Sequence, residues 1–297
     1  MMNFFMDENF VAHCLNSLAE RLPGLENIVE IMDKVSSSPL TNLYYTHNLH
    51  SLTFQEISFA ELLYAHSSDG DYRDLILRFD MAIERGECVL TQENRVLEAS
   101  AVELARLGAG GYITGFNYSA NNWWRSSKMY IVSDQTCYLN ALRFLFSALD
   151  MPAEQLEAFG DLLFPNIYFH ANPSNLKRMG ISYRDHSQSI IAHLSYLNDF
   201  AILHFENDLP ATIIQLAASK GVEISPESVK THGNRGAMAR RRVEINDSHI
   251  TCEWHTKFTY DKGRIHFHAR PNTYQEKIRK LAGSKVIVGL IVEHLPT

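Results

Sequence analysis

Two short segments near the C-terminus alternate so strictly that they leave the backbone few choices. In residues 250–260, Ile250, Cys252, Trp254 and Phe258 fall on one side of an extended chain, and Thr251, Glu253, His255, Lys257 and Thr259 fall on the other. In residues 264–270, Ile265 and Phe267 oppose Arg264, His266 and His268. A period of two marks a half-buried strand. The intervening Tyr260-Asp261-Lys262-Gly263 supplies a turn, with Gly263 able to take the left-handed conformation. The expected hairpin closes on Thr259 opposite Arg264, which sets Lys257 against His266 and His255 against His268. Its apolar face enters a core. Its polar face collects histidines, a lysine and an arginine within cross-strand reach.

Three readings of that polar face stand side by side. It can be the solvated side of a half-buried sheet. It can be a metal-independent nuclease-like site, with His255 or His266 as base, His268 as acid, and Lys257 and Arg264 stabilising charge on a phosphate. It can also hold zinc through His255, His266, His268 and Glu253, although alternate histidines on a strand are a weak metal signature. The second reading is the leading one, with no cofactor and no metal. His294, at the end of the last predicted strand, is placed to join the group from a neighbour.

The rest of the chain predicts an α+β protein: a mostly helical N-terminal part, a mixed α/β middle, and a C-terminal antiparallel sheet with a helix. Helical spacing recurs after Asp7 and over residues 24–34, 52–65, 72–83 and 96–107. Strands are expected at 112–118 and 128–132, flanking a loop that holds Trp123, Trp124 and Arg125. Helices follow at 134–148, 185–205 and 209–220, with a short strand at 167–169 between the first two. Residues 285–294 are apolar on both faces and belong inside a sheet. A division into 1–160, a helical connector 161–225 and a sheet module 226–297 follows from this pattern.

The net charge of −7 is unevenly spread. Residues 1–160 carry 10 Lys and Arg against 21 Asp and Glu, and the remainder carries 17 against 13. So acidic a chain is no general nucleic-acid coat. A basic stretch within 226–242, with Lys230, Arg235, Arg240, Arg241 and Arg242, reads as an extended loop able to hold phosphates. The glycine-rich 107–111 follows a helix and precedes a strand, the reverse of a phosphate loop. The four cysteines are scattered, without CxxC spacing, and residues 1–10 lack a basic leader, so a reducing cytoplasm is the expected setting. No apolar run is long enough to cross a membrane. Nucleic acid, a partner protein docking on 1–160 and a second copy of the chain are the partners this reading admits.

The pattern Trp254-His255-x-Lys257, Arg264-Ile-His266-Phe-His268, and Val286-Ile-Val288-Gly289 running on to His294-Leu-Pro resembles a module of bacterial accessory-genome proteins of the kind carried by mobile elements and phage-defence loci. Leu163-Phe-Pro-Asn-Ile-Tyr-Phe, followed by a helix ending Leu194-Ser-Tyr-Leu-Asn-Asp, has the same character. The terminal sheet also resembles, distantly, RelE-type toxins, which cleave RNA without metal on a small basic sheet. The resemblance implies an effector acting on RNA or DNA. The alternative is a non-catalytic interaction or sensor subunit of a defence complex.

Overall fold

A computed structural model describes residues 2–46, 49, 53–65, 68–89, 110–115, 130–170 and 173–297. The expected helix at 96–107 and the loop carrying Trp123, Trp124 and Arg125 lie outside these residues. The chain forms two compact units, 1–149 and 150–297, and the α+β class holds.

In the first unit the elements are β1 (Met2–Met6), α1 (Glu8–Asn16), α2 (Leu18–Ser37), β2 (Thr41–Thr46), the small hairpin β3 (Thr53–Phe54) and β4 (Ile57–Ser58), α3 (Phe59–Tyr64), α4 (Gly70–Arg85), β5 (Glu87–Val89), β6 (Gly110–Ile113), β7 (Tyr130–Val132) and α5 (Gln135–Ala148). Five strands form a wholly parallel sheet in the order β5-β2-β1-β6-β7. Three of them, β1, β2 and β5, are absent from the sequence expectation. Met-Asn-Phe-Phe-Met is nearly all buried, so it shows no alternation, and a short apolar run without alternation cannot be told from helix by period alone. Fully buried side chains such as Phe4 and Phe5 contribute about 1.5–3 kcal/mol each, which overrides local preference. Asp7 ends β1 and caps α1: one carboxylate oxygen accepts from the Phe10 N–H at 3.1 Å and the other from the Thr114 hydroxyl at 2.7 Å.

The second unit contains α6 (Ala153–Leu163), β8 (Ile167–Phe169), a 3-10 turn (Pro173–Met179), α7 (Tyr183–Asp199), α8 (Ala201–Asn207), α9 (Pro210–Ser219), β9 (Ile224–Pro226), α10 (Val229–Gly233), α11 (Arg235–Ala239), β10 (Arg242–Ile245), β11 (Ser248–Thr251), β12 (Trp254–Lys257), β13 (Arg264–His268), α12 (Glu276–Ala282) and β14 (Val286–Val292). The main sheet runs β8-β14-β13-β12-β9, antiparallel except for β8 beside β14. As its two-sided apolar pattern requires, β14 lies inside the sheet. The segment expected as a connector contributes both edge strands, β8 and β9. On one face Phe205 meets Trp254 and Phe267 edge-on, and His193 stacks on Phe258 just beyond β12. A second core gathers Val243, Ile245, Ile250, Cys252, Tyr274, Ile278, Ala282 and Ile287.

Three expectations are corrected here. The long strand 250–260 is broken at Cys252-Glu253: its first part pairs with β10 in a separate ribbon, and only Trp254–Lys257 joins the main sheet. The hairpin register is displaced by two residues, so that Lys257 faces Arg264, His255 faces His266 and Trp254 faces Phe267. A two-residue slip preserves which face each side chain takes, so alternation could not detect it. The turn is longer, because Phe258 and Thr259 bond back to Gly263 and Lys262 instead of extending the ladder. Third, the basic stretch is no extended loop. It folds into α10 and α11, capped by Ser228 and Asn234.

Candidate active site

Three adjacent strands place one residue each in a row across the sheet. Ser225 on β9 is paired with His255 on β12, which is paired with His266 on β13. Directly paired side chains share a face, about 4.5–5.5 Å apart at Cβ. Glu227 lies two residues beyond Ser225 and so returns to the same face. Its Oε1 stands 3.2 Å from His255 Nδ1, 3.5 Å from His266 Nδ1 and 2.7 Å from Arg241 Nε. The other ring nitrogen of His255, Nε2, is 3.2 Å from the Ser225 hydroxyl. These side chains line a pocket of about 470 Å³, with Lys257, Tyr260 and His294 also in its wall.

Burial is deep at the centre and shallow at the rim. Glu227, Arg241 and His266 are withdrawn from water, and the His255 side chain retains 12% exposure. Burial alone would raise the Glu227 carboxyl. Its contacts with His255 and Arg241 outweigh that and hold it down to about 2. Burial, joined by the neighbouring His255 and Arg241, pushes His266 down to about 3, so its imidazole is neutral near pH 7. Neither ring nitrogen of His266 makes a well-aligned hydrogen bond. The Glu227 contacts to Arg241 and His255 are close, but the N–H groups are not aimed squarely at the oxygen. Unliganded sites commonly hold such contacts loosely.

The expected site residues divide sharply. His255, His266, Lys257 and Arg264 all line the pocket. His268 does not. Its ring nitrogens are held by the Thr251 carbonyl and the Thr273 hydroxyl, 3.1 and 3.0 Å away, so it cannot serve as the acid of this cluster. Arg264 is buried, and its guanidinium bonds the carbonyls of Thr259, Tyr260, Lys262 and Gly263. Its donors hold the turn and are not open to a phosphate. Lys257 Nζ is 3.2 Å from Glu223 at the surface, a partner easily exchanged in water. Among the basic residues assigned to nucleic-acid binding, Lys230, Arg235, Arg240 and Arg242 are exposed. Arg241 is buried, bonded to the Ala237 and Pro296 carbonyls and paired with Glu227.

Ser225 and Glu227 are absent from the sequence expectation, because the first falls at the end of the helical connector 161–225 and the second in the stretch 226–242 that reads as an extended loop. The available signal is small: Val222 and Ile224, both buried, alternate with Glu223 and Ser225. Among the described residues, Glu227, His255 and His266 are also the group whose atoms are close enough for one metal ion, lying within 4.8 Å of one another; Glu253 is not in it. Arg241 bears on that point. Its cation already sits against the oxygen a metal would need, so an ion there would lie beside a fixed positive charge.

No helix among the described residues is long and apolar enough to cross a membrane. No family model, curated protein or solved structure matches the chain.

Proposed function

We propose that this chain is a bacterial effector of the phage-defence or toxin kind, acting on nucleic acid through the C-terminal pocket by metal-independent cleavage of a phosphodiester. The observation that carries the reading is the relay Glu227–His255 opening into a concave site beside Lys257. An ionised carboxylate on Nδ1 leaves Nε2 of His255 facing the pocket as a proton acceptor. His255 takes the proton of the attacking hydroxyl and returns one to the leaving oxygen. Lys257 balances the charge that grows on the phosphoryl oxygens. Arg241 and His266 act through Glu227 and His255 as positioning residues. The exposed Lys230, Arg235, Arg240 and Arg242 supply sequence-independent attraction to the backbone.

The test is incubation of the full chain with end-labelled single-stranded RNA and DNA, with and without a chelator. The expected result is cleavage that survives chelation and falls about 10²-fold or more in His255→Ala. Cleavage that needs added Zn²⁺ would replace the metal-free chemistry with a site at Glu227, His255 and His266. No cleavage of either polymer would leave the non-catalytic interaction role.

A further inference from the structure

Ser225, His255 and Glu227 form a relay in the order that activates a serine. The hydroxyl is 3.2 Å from Nε2, and Nδ1 of the same ring is 3.2 Å from the carboxylate. This is the arrangement by which a hydroxyl becomes a nucleophile: the base removes its proton, and the acid fixes the ring's tautomer and balances the imidazolium. Both ends are anchored. Ser225 and His255 are cross-strand partners, so sheet pairing sets their approach. Glu227 is gripped by Arg241, itself tied to the Ala237 and Pro296 carbonyls. Ser225 is only partly buried and lies in the pocket wall, so a substrate can reach it.

We infer that Ser225 is the nucleophile of this pocket and that the reaction passes through a covalent phosphoserine. The inference rests on the phosphodiester reading above and deepens it. In the first step the Ser225 hydroxyl proton moves to His255 Nε2, and Oγ forms a bond to phosphorus. The bond from phosphorus to the leaving ester oxygen breaks, and that oxygen takes the proton from His255 as a free hydroxyl. In the second step water gives a proton to His255 and its oxygen attacks the same phosphorus. The Oγ–P bond breaks, and Ser225 regains its proton from His255. The product is a phosphomonoester, and water is the sole co-reactant. Because the nucleophile belongs to the protein, the substrate needs no 2′-hydroxyl, so DNA and RNA are both cut.

The experiment treats the folded full chain with an alkyl fluorophosphonate and locates the adduct by peptide mass spectrometry, beside cleavage assays on matched DNA and RNA strands. The expected result is an adduct on Ser225, formed about 10²-fold more slowly in His255→Ala, and loss of cleavage of both polymers in Ser225→Ala at an unchanged melting temperature. An unlabelled Ser225 in folded wild-type protein overturns the inference, as does labelling at the same rate in His255→Ala. Cleavage that persists in Ser225→Ala also overturns it while leaving the nucleic-acid reading intact. Labelling that depends on His255, with no cleavage of either polymer, keeps the serine relay and removes the nucleic-acid reading instead.

Discussion

Arg241 Nε stands 2.7 Å from Glu227 Oε1, and both side chains are sealed from solvent. The residue that reads in sequence as one of three interchangeable surface arginines is thus the counter-ion of the site's carboxylate. Breaking a buried pair leaves a lone charge in a poorly polar setting, which costs about 3–5 kcal/mol. Arg241→Ala is therefore expected to lower the unfolding free energy by that amount in a denaturant titration. Arg240→Ala and Arg242→Ala should stay within about 0.5 kcal/mol of the parent.

The exposed basic residues make the opposite prediction. Changing Lys230, Arg235, Arg240 and Arg242 together to Ala should leave the melting temperature nearly unmoved. It should flatten the dependence of log Kd on log salt for single-stranded nucleic acid by about 0.7 for each phosphate that the variant no longer neutralises. A salt titration of wild type and variant reads this directly, and equal slopes would deny these residues a phosphate-binding role.

At the pocket rim, Lys257→Ala is expected to reduce cleavage about 10-fold or more, through weaker charge stabilisation. Its partner Glu223 is largely exposed, so stability should change by less than about 0.5 kcal/mol. Turnover and melting temperature measured on one preparation separate the two effects. A fall in both would assign Lys257 to the fold.

Stability should also depend on pH through His193 on α7. Burial pushes its pKa down to about 4, against a weaker upward pull from Glu223, and its ring stacks on Phe258 at 4.2 Å. The folded state therefore resists protonating a group that titrates near 6.5 when unfolded. This contribution is fully present above pH 6.5 and is lost as pH falls from 6.5 toward 4, by about 3 kcal/mol in all. Denaturant titrations at stepped pH values should show the decline in wild type and a shallower one in His193→Phe.

Gly289 on β14 offers a purely steric test. A methyl group there would lie 2.4 Å from the Cys252 sulfur and 3.2 Å from Val243, both in the packed core. Gly289→Ala is expected to cost about 1–3 kcal/mol by overpacking. Pairing it with Cys252→Ala should recover part of that loss in the same unfolding assay.

The site's legibility in sequence follows the same physics. Strands that alternate polar with apolar side chains, such as β12 and β13, announce their faces in the sequence even where, as in β13, both faces are buried, so His255, Lys257, Arg264 and His266 are found together. Register is another matter, because a two-residue slip leaves every face unchanged, and the structure uses it to bring His255 rather than Lys257 against His266. Glu227 and Ser225 escape because β9 is three residues long and ends in Pro226, too short for any period to emerge. In the first unit β1 escapes for the converse reason: it is nearly all buried and does not alternate.

The single partner of β8 has a consequence for how the protein comes into being. Among the described residues β8 pairs only with β14, more than a hundred residues later in the chain. During synthesis Ile167–Phe169 must wait, unpaired, while every other strand of its sheet is made. The pocket wall likewise lacks His294 until that residue has been made. The first unit has no such debt, since β7 completes its sheet by Val132. A nascent chain would therefore carry a finished first-unit sheet while the sheet beneath the pocket still lacked β14.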